Sequence, residues 1–77
     1  MTAALYGASW CGPCKQLDPI VSVKRAYGYK IEYRDVDDQP SPYVTTVPAV
    51  FIYKNGVGID KAVGPAAITK LLNRYLP

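Results

Sequence analysis

The segment Ser9-Trp10-Cys11-Gly12-Pro13-Cys14-Lys15 carries the only two cysteines of the chain, three residues apart. Two thiols at that spacing can share a metal, cross-link the chain, or exchange electrons with another disulfide. The other residue types needed for a metal site are missing. A zinc site generally takes four Cys or His ligands. This chain has two Cys and no His, so only a site shared between two chains could be completed, and no metal is expected. A cysteine-nucleophile hydrolase needs a His partner, which is also absent. As a staple the pair is poor, because closing so short a loop removes little unfolded-state entropy. Two inert, buried cysteines are the bland alternative. Their place at the start of a helix, beside a Trp and a Gly-Pro, points instead to thiol–disulfide exchange with no cofactor beyond the pair itself.

The neighbourhood gives each residue a task. A helix N-terminus presents unpaired N–H groups and partial positive charge, both of which favour a thiolate. Cys11, at the junction into the helix, is therefore the expected nucleophile, with a lowered pKa. Cys14 lies one turn further in, on the same helix face and within bridging distance. It is expected to be the more buried, less reactive thiol, which resolves the mixed disulfide. Gly12 lets a partner approach closely, and Pro13 stiffens the first turn. Lys15 adds positive charge, and Trp10 offers a flat apolar surface beside the nucleophile.

The elements that must hold this pair can be read from periodicity. Residues 3–8 (AALYGA) form an apolar run that reads as a buried strand. From Pro13 to about Ala26, Cys14, Leu17 and Val21, with Ile20 alongside, make one helical stripe. Pro19 inside it should bend the axis. Residues 30–37 (KIEYRDVD) alternate as a strand. The following DDQPSPYVTT holds at most a helical turn or two. Residues 48–53 (PAVFIY) read as a central strand. Lys54-Asn55-Gly56 is a hairpin turn, and residues 57–63 are the returning strand. Gly64-Pro65 starts a last helix, with Ile68, Leu71, Leu72 and Tyr75 on one face. The order is β-α-β followed by β-β-α. The first two strands should run parallel through a right-handed crossover and the last two should form an antiparallel hairpin. This is an α/β fold with a four-stranded mixed sheet flanked by helices, in a single domain over residues 1–77.

Composition narrows the partners. The net charge is +3 and the basic residues are scattered among acids, so neither a nucleic-acid arm nor a membrane-binding face is indicated. No segment approaches the roughly 20 apolar residues of a membrane span. The first residues lack the basic and apolar regions of a secretory signal. A cytoplasmic monomer is expected, in a compartment where a close Cys pair stands for redox chemistry.

Trp10-Cys11-Gly12-Pro13-Cys14 at a strand-to-helix junction, within this element order, resembles the active site of the thioredoxin family. The resemblance covers nearly the whole chain and implies a minimal thioredoxin fold. Pro19 falls where thioredoxins kink their active-site helix. Val47-Pro48 resembles the family's cis-proline loop, and FIYKNG with a strand ending in Val63-Gly64 resembles its closing hairpin. The resemblance implies that Trp10, Val47, Pro48, Val63 and Gly64 line a groove in which a client strand pairs with backbone groups. It also implies reduction of disulfides in client proteins and regeneration by a thioredoxin-reductase-like donor.

Three departures qualify it. The family's additional first strand and helix are missing, and the segment from Asp37 to Pro48 is short. Both features, with TTVPAVFIY, are glutaredoxin-like. The family's buried Asp, the proton acceptor for the resolving thiol, is replaced by Leu5, and a neighbouring Lys by Tyr33. Deprotonation of Cys14 through water or by the departing thiolate is then expected. Pro65-Ala66-Ala67 lacks the Asp with which glutaredoxins hold glutathione, which favours protein dithiol exchange. The alternatives are a glutaredoxin-like protein, a dedicated electron donor to an enzyme such as ribonucleotide reductase, and a non-catalytic binding module using the groove around Trp10 and Pro48.

Overall fold

Alternation of side chains along four short strands gives the sheet two unlike faces. In the computed structural model, which describes residues 1–77, the strands are β1 (Thr2–Gly7), β2 (Lys30–Asp35), β3 (Ala49–Lys54) and β4 (Val57–Val63). The helices are α1 (Gly12–Lys15), α2 (Asp18–Ala26) and α3 (Pro65–Tyr75). The sheet order is β2-β1-β3-β4; β1 and β2 are parallel and the other pairs antiparallel. The β1–β2 crossover passes through α1 and α2, as a parallel pair requires. Asn55 and Gly56 both have positive φ (54° and 81°), the geometry that matches a two-residue hairpin to the twist of its strands.

One face is a continuous apolar core. Ala3 and Leu5 of β1, Ile31 of β2, and Val50 and Ile52 of β3 meet Leu17, Val21, Ile68, Leu71, Leu72 and Leu76. Both longer helices lie here, each contributing its apolar stripe. Ile68, Leu72 and Leu76 are completely buried, and truncating such a residue to Ala costs about 2–5 kcal/mol. The sequence pattern identified Ile68, Leu71 and Leu72, but Leu76 lies beyond the periodic stretch. It enters the core because its N–H still bonds the Leu72 carbonyl at 2.7 Å.

The opposite face has no helix over it. Ala4, Tyr6 and Ala49 are buried there against Val36, Val44, Phe51 and Tyr53. Tyr6 and Phe51 meet edge to face at 5.7 Å, a favourable arrangement of ring quadrupoles. The Arg34 guanidinium lies 5.5 Å from the Tyr6 ring centroid and donates to the Tyr6 hydroxyl at 2.7 Å. Residues 36–48 border this face as turns and bends without a helix.

The expected bent helix from Pro13 to Ala26 is two segments. Pro19 has no N–H to offer the Lys15 carbonyl, and its ring would clash there. The chain tightens instead, with Gln16 and Leu17 N–H groups bonding the carbonyls of Pro13 and Cys14, both at 3.2 Å. It restarts at Asp18 with Pro19 in the first turn, where a missing N–H costs nothing. Arg25, near the end of α2, donates to the Ile31 carbonyl from Nε (3.1 Å) and Nη2 (2.7 Å), fixing that helix to β2.

Candidate active site

β1 ends at Gly7, and the chain turns through residues 8–10 into α1. The Cys11 N–H bonds the Ala8 carbonyl at 3.1 Å, closing that turn. Cys11 is the N-cap of α1, in extended conformation, and its Sγ accepts the Cys14 N–H at 3.2 Å. The sulfur occupies the place of a capping oxygen and takes up one of the donors that a helix start leaves free. A negative charge on that sulfur would strengthen the same bond. Cys11 and Cys14 are joined by a disulfide, with Cα atoms 5.3 Å apart. Gly12 and Pro13 are exposed between them.

Burial of the pair differs from expectation. Cys11 is 4% exposed and Cys14 7%, so Cys14 is not the more buried. Capping folds the Cys11 sulfur back over the first turn, where Ala8 and Val47 pack against it and Cys14. Asymmetry between the thiols therefore rests on the N–H that Cys11 receives, not on accessibility.

The two sides of the disulfide face different surroundings. On one side Trp10, Val36, Val44, Thr45, Thr46 and Val47 line a hollow of about 360 Å³. Trp10 is 68% exposed, yet its position is held, because its indole N–H donates to Asp37 Oδ2 at 2.9 Å. Asp37 is itself set by a turn in which Asp35 Oδ1 accepts the Asp37 N–H at 2.8 Å. Val47-Pro48 is a cis peptide bond. Neither the N–H nor the carbonyl of Val47 has a partner within the chain, which leaves both for an extended segment laid alongside. Val63 and Gly64 join this rim indirectly. The Gly64 N–H bonds the Pro48 carbonyl at 3.0 Å, and positive φ (89°) at Gly64 turns β4 into α3. Val63 is exposed and pairs with Ala49. The hollow itself is lined by Trp10 and Val47, not by Val63 or Gly64.

Sequence reasoning missed Val36, Val44 and Asp37. The apolar spacing of the two valines is too irregular to signal an element, and an Asp–Trp bond across 27 positions leaves no local pattern.

On the other side, a pocket of about 400 Å³ is lined by residues that include Leu5, Cys14, Lys15, Asp18, Arg25 and Tyr33. Leu5 is buried and pairs with Tyr33 across β1 and β2. Burial, and then the carboxylates of Asp35 and Asp18, push the Tyr33 hydroxyl above its ordinary range. No three His, Cys, Asp or Glu side chains cluster to hold a metal, and no helix is long and apolar enough to cross a membrane.

The site is thus a disulfide at a helix start with the cis Val47-Pro48 loop packed beside it. The thioredoxin family model matches residues 4–75. The chain belongs to the thioredoxin family. It is 31% identical to a thioredoxin of Chlamydia caviae over 91% of this chain and 78% of that protein. It is 36% identical to a thioredoxin of Staphylococcus aureus over 77% of this chain and 64% of that one. Among solved structures it is similar to thioredoxin 1 of Thermosipho africanus, with TM-score 0.81, 27% identity, and 99% and 94% of the two chains covered. As a member of this family, with the Cys11–Cys14 disulfide in place, the chain is a thiol–disulfide oxidoreductase of the protein-disulfide-reductase type.

Proposed function

We infer that this thioredoxin-family chain works as a reductant of client proteins, with Cys11 attacking and Cys14 resolving. In the first step the Cys11 thiolate attacks a client disulfide. One client sulfur leaves with the electron pair, and a Cys11–client bond forms. In the second, Cys14 loses its proton and attacks Cys11, the Cys11–client bond breaks, and the second client sulfur leaves reduced. The pair ends as the Cys11–Cys14 disulfide. The observation that carries this reading is the Cys14 N–H directed at Cys11 Sγ, since a donor that stabilises a thiolate lowers its pKa and makes it the attacker and the better leaving group.

Client capture is assigned to the hollow beside Trp10. The unpaired backbone of Val47 would bind a client strand with little demand on its sequence, while Pro48, Val63 and Gly64 set the far edge. Gly12 keeps the approach to the sulfurs open and Pro13 stiffens the turn. The redox-active pair serves as its own cofactor, and a thioredoxin-reductase-like donor would return the electrons. A monomer in the cytoplasm fits this work, because the cycle needs a reducing compartment. Service to one dedicated enzyme, such as ribonucleotide reductase, uses the same steps and differs only in the client. Reduction of insulin by dithiothreitol, followed by turbidity, tests the reading. Catalysis by the wild-type chain that survives in Cys11→Ser would sink it.

A further inference from the structure

Resolution requires Cys14 to attack as a thiolate, and a thiol of ordinary pKa is mostly protonated at neutral pH. Cys11 receives an N–H bond that favours ionisation, whereas Cys14 must pass its proton to something. Leu5, on the strand beneath, can accept nothing. Among the polar groups on this side, the Tyr33 hydroxyl is the one that meets the Cys14 sulfur at the Gly7 position. Gly7 leaves a notch that Tyr33 and Cys14 share. A methyl group on Gly7 would stand 3.0 Å from Tyr33 Cε2, 3.1 Å from Tyr33 Oη and 3.4 Å from Cys14 Sγ. Hydroxyl and sulfur thus border one gap and share no direct hydrogen bond in the disulfide form, an arrangement that a single water can bridge.

The surroundings suit transfer onward. Tyr6, Tyr29 and Tyr75 commit their hydroxyls to bonds within the chain, while Tyr33 leaves its own for this gap. Tyr33 is 46% exposed and also lines the pocket behind Cys14. The charged groups facing it are Lys15 from α1, Asp18 and Arg25 from α2, and Asp35 on its own strand. Arg25 is held by the Ile31 carbonyl. A neutral phenol can accept one proton while donating another, so Tyr33 can pass a proton without storing it.

We propose that Tyr33 relays the proton that Cys14 sheds during resolution. The thiol proton passes through one water to Tyr33 Oη, while the phenol proton passes to pocket water beside Asp18. Tyr33 ends neutral, one proton reaches solvent, and the electron pair of the broken Cys11 bond leaves with the departing sulfur. The proposal rests on Cys14 being the resolving thiol.

The test uses the reduced full chain and 5,5′-dithiobis(2-nitrobenzoic acid) in stopped flow. Attack by Cys11 releases one equivalent of thionitrobenzoate, and resolution by Cys14 releases a second, so the two steps separate in one trace. Tyr33→Phe keeps the ring and deletes the hydroxyl. It should leave the first phase unchanged and slow the second about ten-fold at pH 7, within the reach of general acid–base assistance. The two second-phase profiles should converge above about pH 9, where an ordinary thiol ionises unaided. Gly7→Ala keeps the hydroxyl but crowds it away from the sulfur, and should produce the same pH-dependent slowing. A Tyr33→Phe profile that overlays the wild type, or lies below it equally at every pH, overturns the relay. Release of only one equivalent by the wild type overturns instead the resolving role of Cys14.

Discussion

The two sides of the Cys11–Cys14 disulfide differ in almost everything but the sulfurs. The Trp10 side is a mostly apolar hollow assembled from loops, with an unpaired backbone at Val47. The Tyr33 side is a pocket between α1, α2 and β2 that holds Lys15, Asp18 and Arg25. An apolar rim with free backbone groups binds a chain; a charged, water-accessible pocket moves protons. On the proposed reading, one small fold separates recognition of the client from the proton traffic of exchange, and each side can be altered while the other is left in place.

The largest effects come from cutting the sequence of events at the sulfurs. Cys11→Ser should reduce insulin turnover to background, since nothing else on the Trp10 side can attack. Cys14→Ser should also stop turnover, but it should accumulate a client joined to Cys11, visible as a dithiothreitol-sensitive band on a non-reducing gel. Equal accumulation in both variants would erase the division of labour between the two thiols.

Leu5→Asp alters the Tyr33 side next. It replaces a buried core residue with a carboxylate and should cost about 3–5 kcal/mol of stability in a denaturant melt. In the folded fraction it should extend the resolving step to lower pH by supplying an acceptor beneath Cys14. An unchanged pH–rate profile would mean that this position does not limit exchange.

Val47→Ala trims the Trp10 side. Losing about 1 kcal/mol of apolar contact should raise the KM for a protein client about five-fold. The second thionitrobenzoate phase should not move, and a change there would show that the two sides are coupled. Asp37→Ala is expected to act more weakly. Removing the acceptor of the exposed Trp10 N–H should raise KM by about two-fold, with a shift in tryptophan emission as the more direct readout.

A site remote from both sides supplies the smallest effect and a control for pH. Tyr75 donates to Asp60 at 2.8 Å. That bond, helped by the Lys61 N–H, holds the Asp60 carboxyl below its ordinary range. Its folded value lies below the unfolded one, so its contribution is present above about pH 4 and is lost as pH falls through the folded value. Tyr75→Phe should flatten this acid limb in thermal melts while leaving both thionitrobenzoate phases as they were.

Much of this was legible because it is local. Cys11 as an N-cap follows from Gly-Pro after a buried strand, since a helix start needs a residue that can leave the helix on one side. The hairpin follows from Asn55-Gly56, where positive φ is cheap. The helix break was half legible. Pro19 announced a disturbance, but whether the axis bends or restarts depends on whether residues 16 and 17 can tighten onto earlier carbonyls. The relative burial of the two cysteines was misread, because helix position alone does not reveal that Ala8 and Val47 close over Cys11.

By itself the sequence determined the chemistry of this protein and the order of its elements. Two thiols three apart, with no histidine in the chain, leave exchange as the reading that fits, and strand and helix periods are properties of neighbouring residues. Tertiary structure decided what stands on either side of those thiols. Trp10 meets Asp37, Val47 covers Cys11, and Tyr33 shares the Gly7 notch with Cys14 only because β1 and β2 pair in one particular register. A shift of one residue in that pairing would turn Tyr33 to the opposite face of the sheet, and no local pattern in the sequence reports the choice.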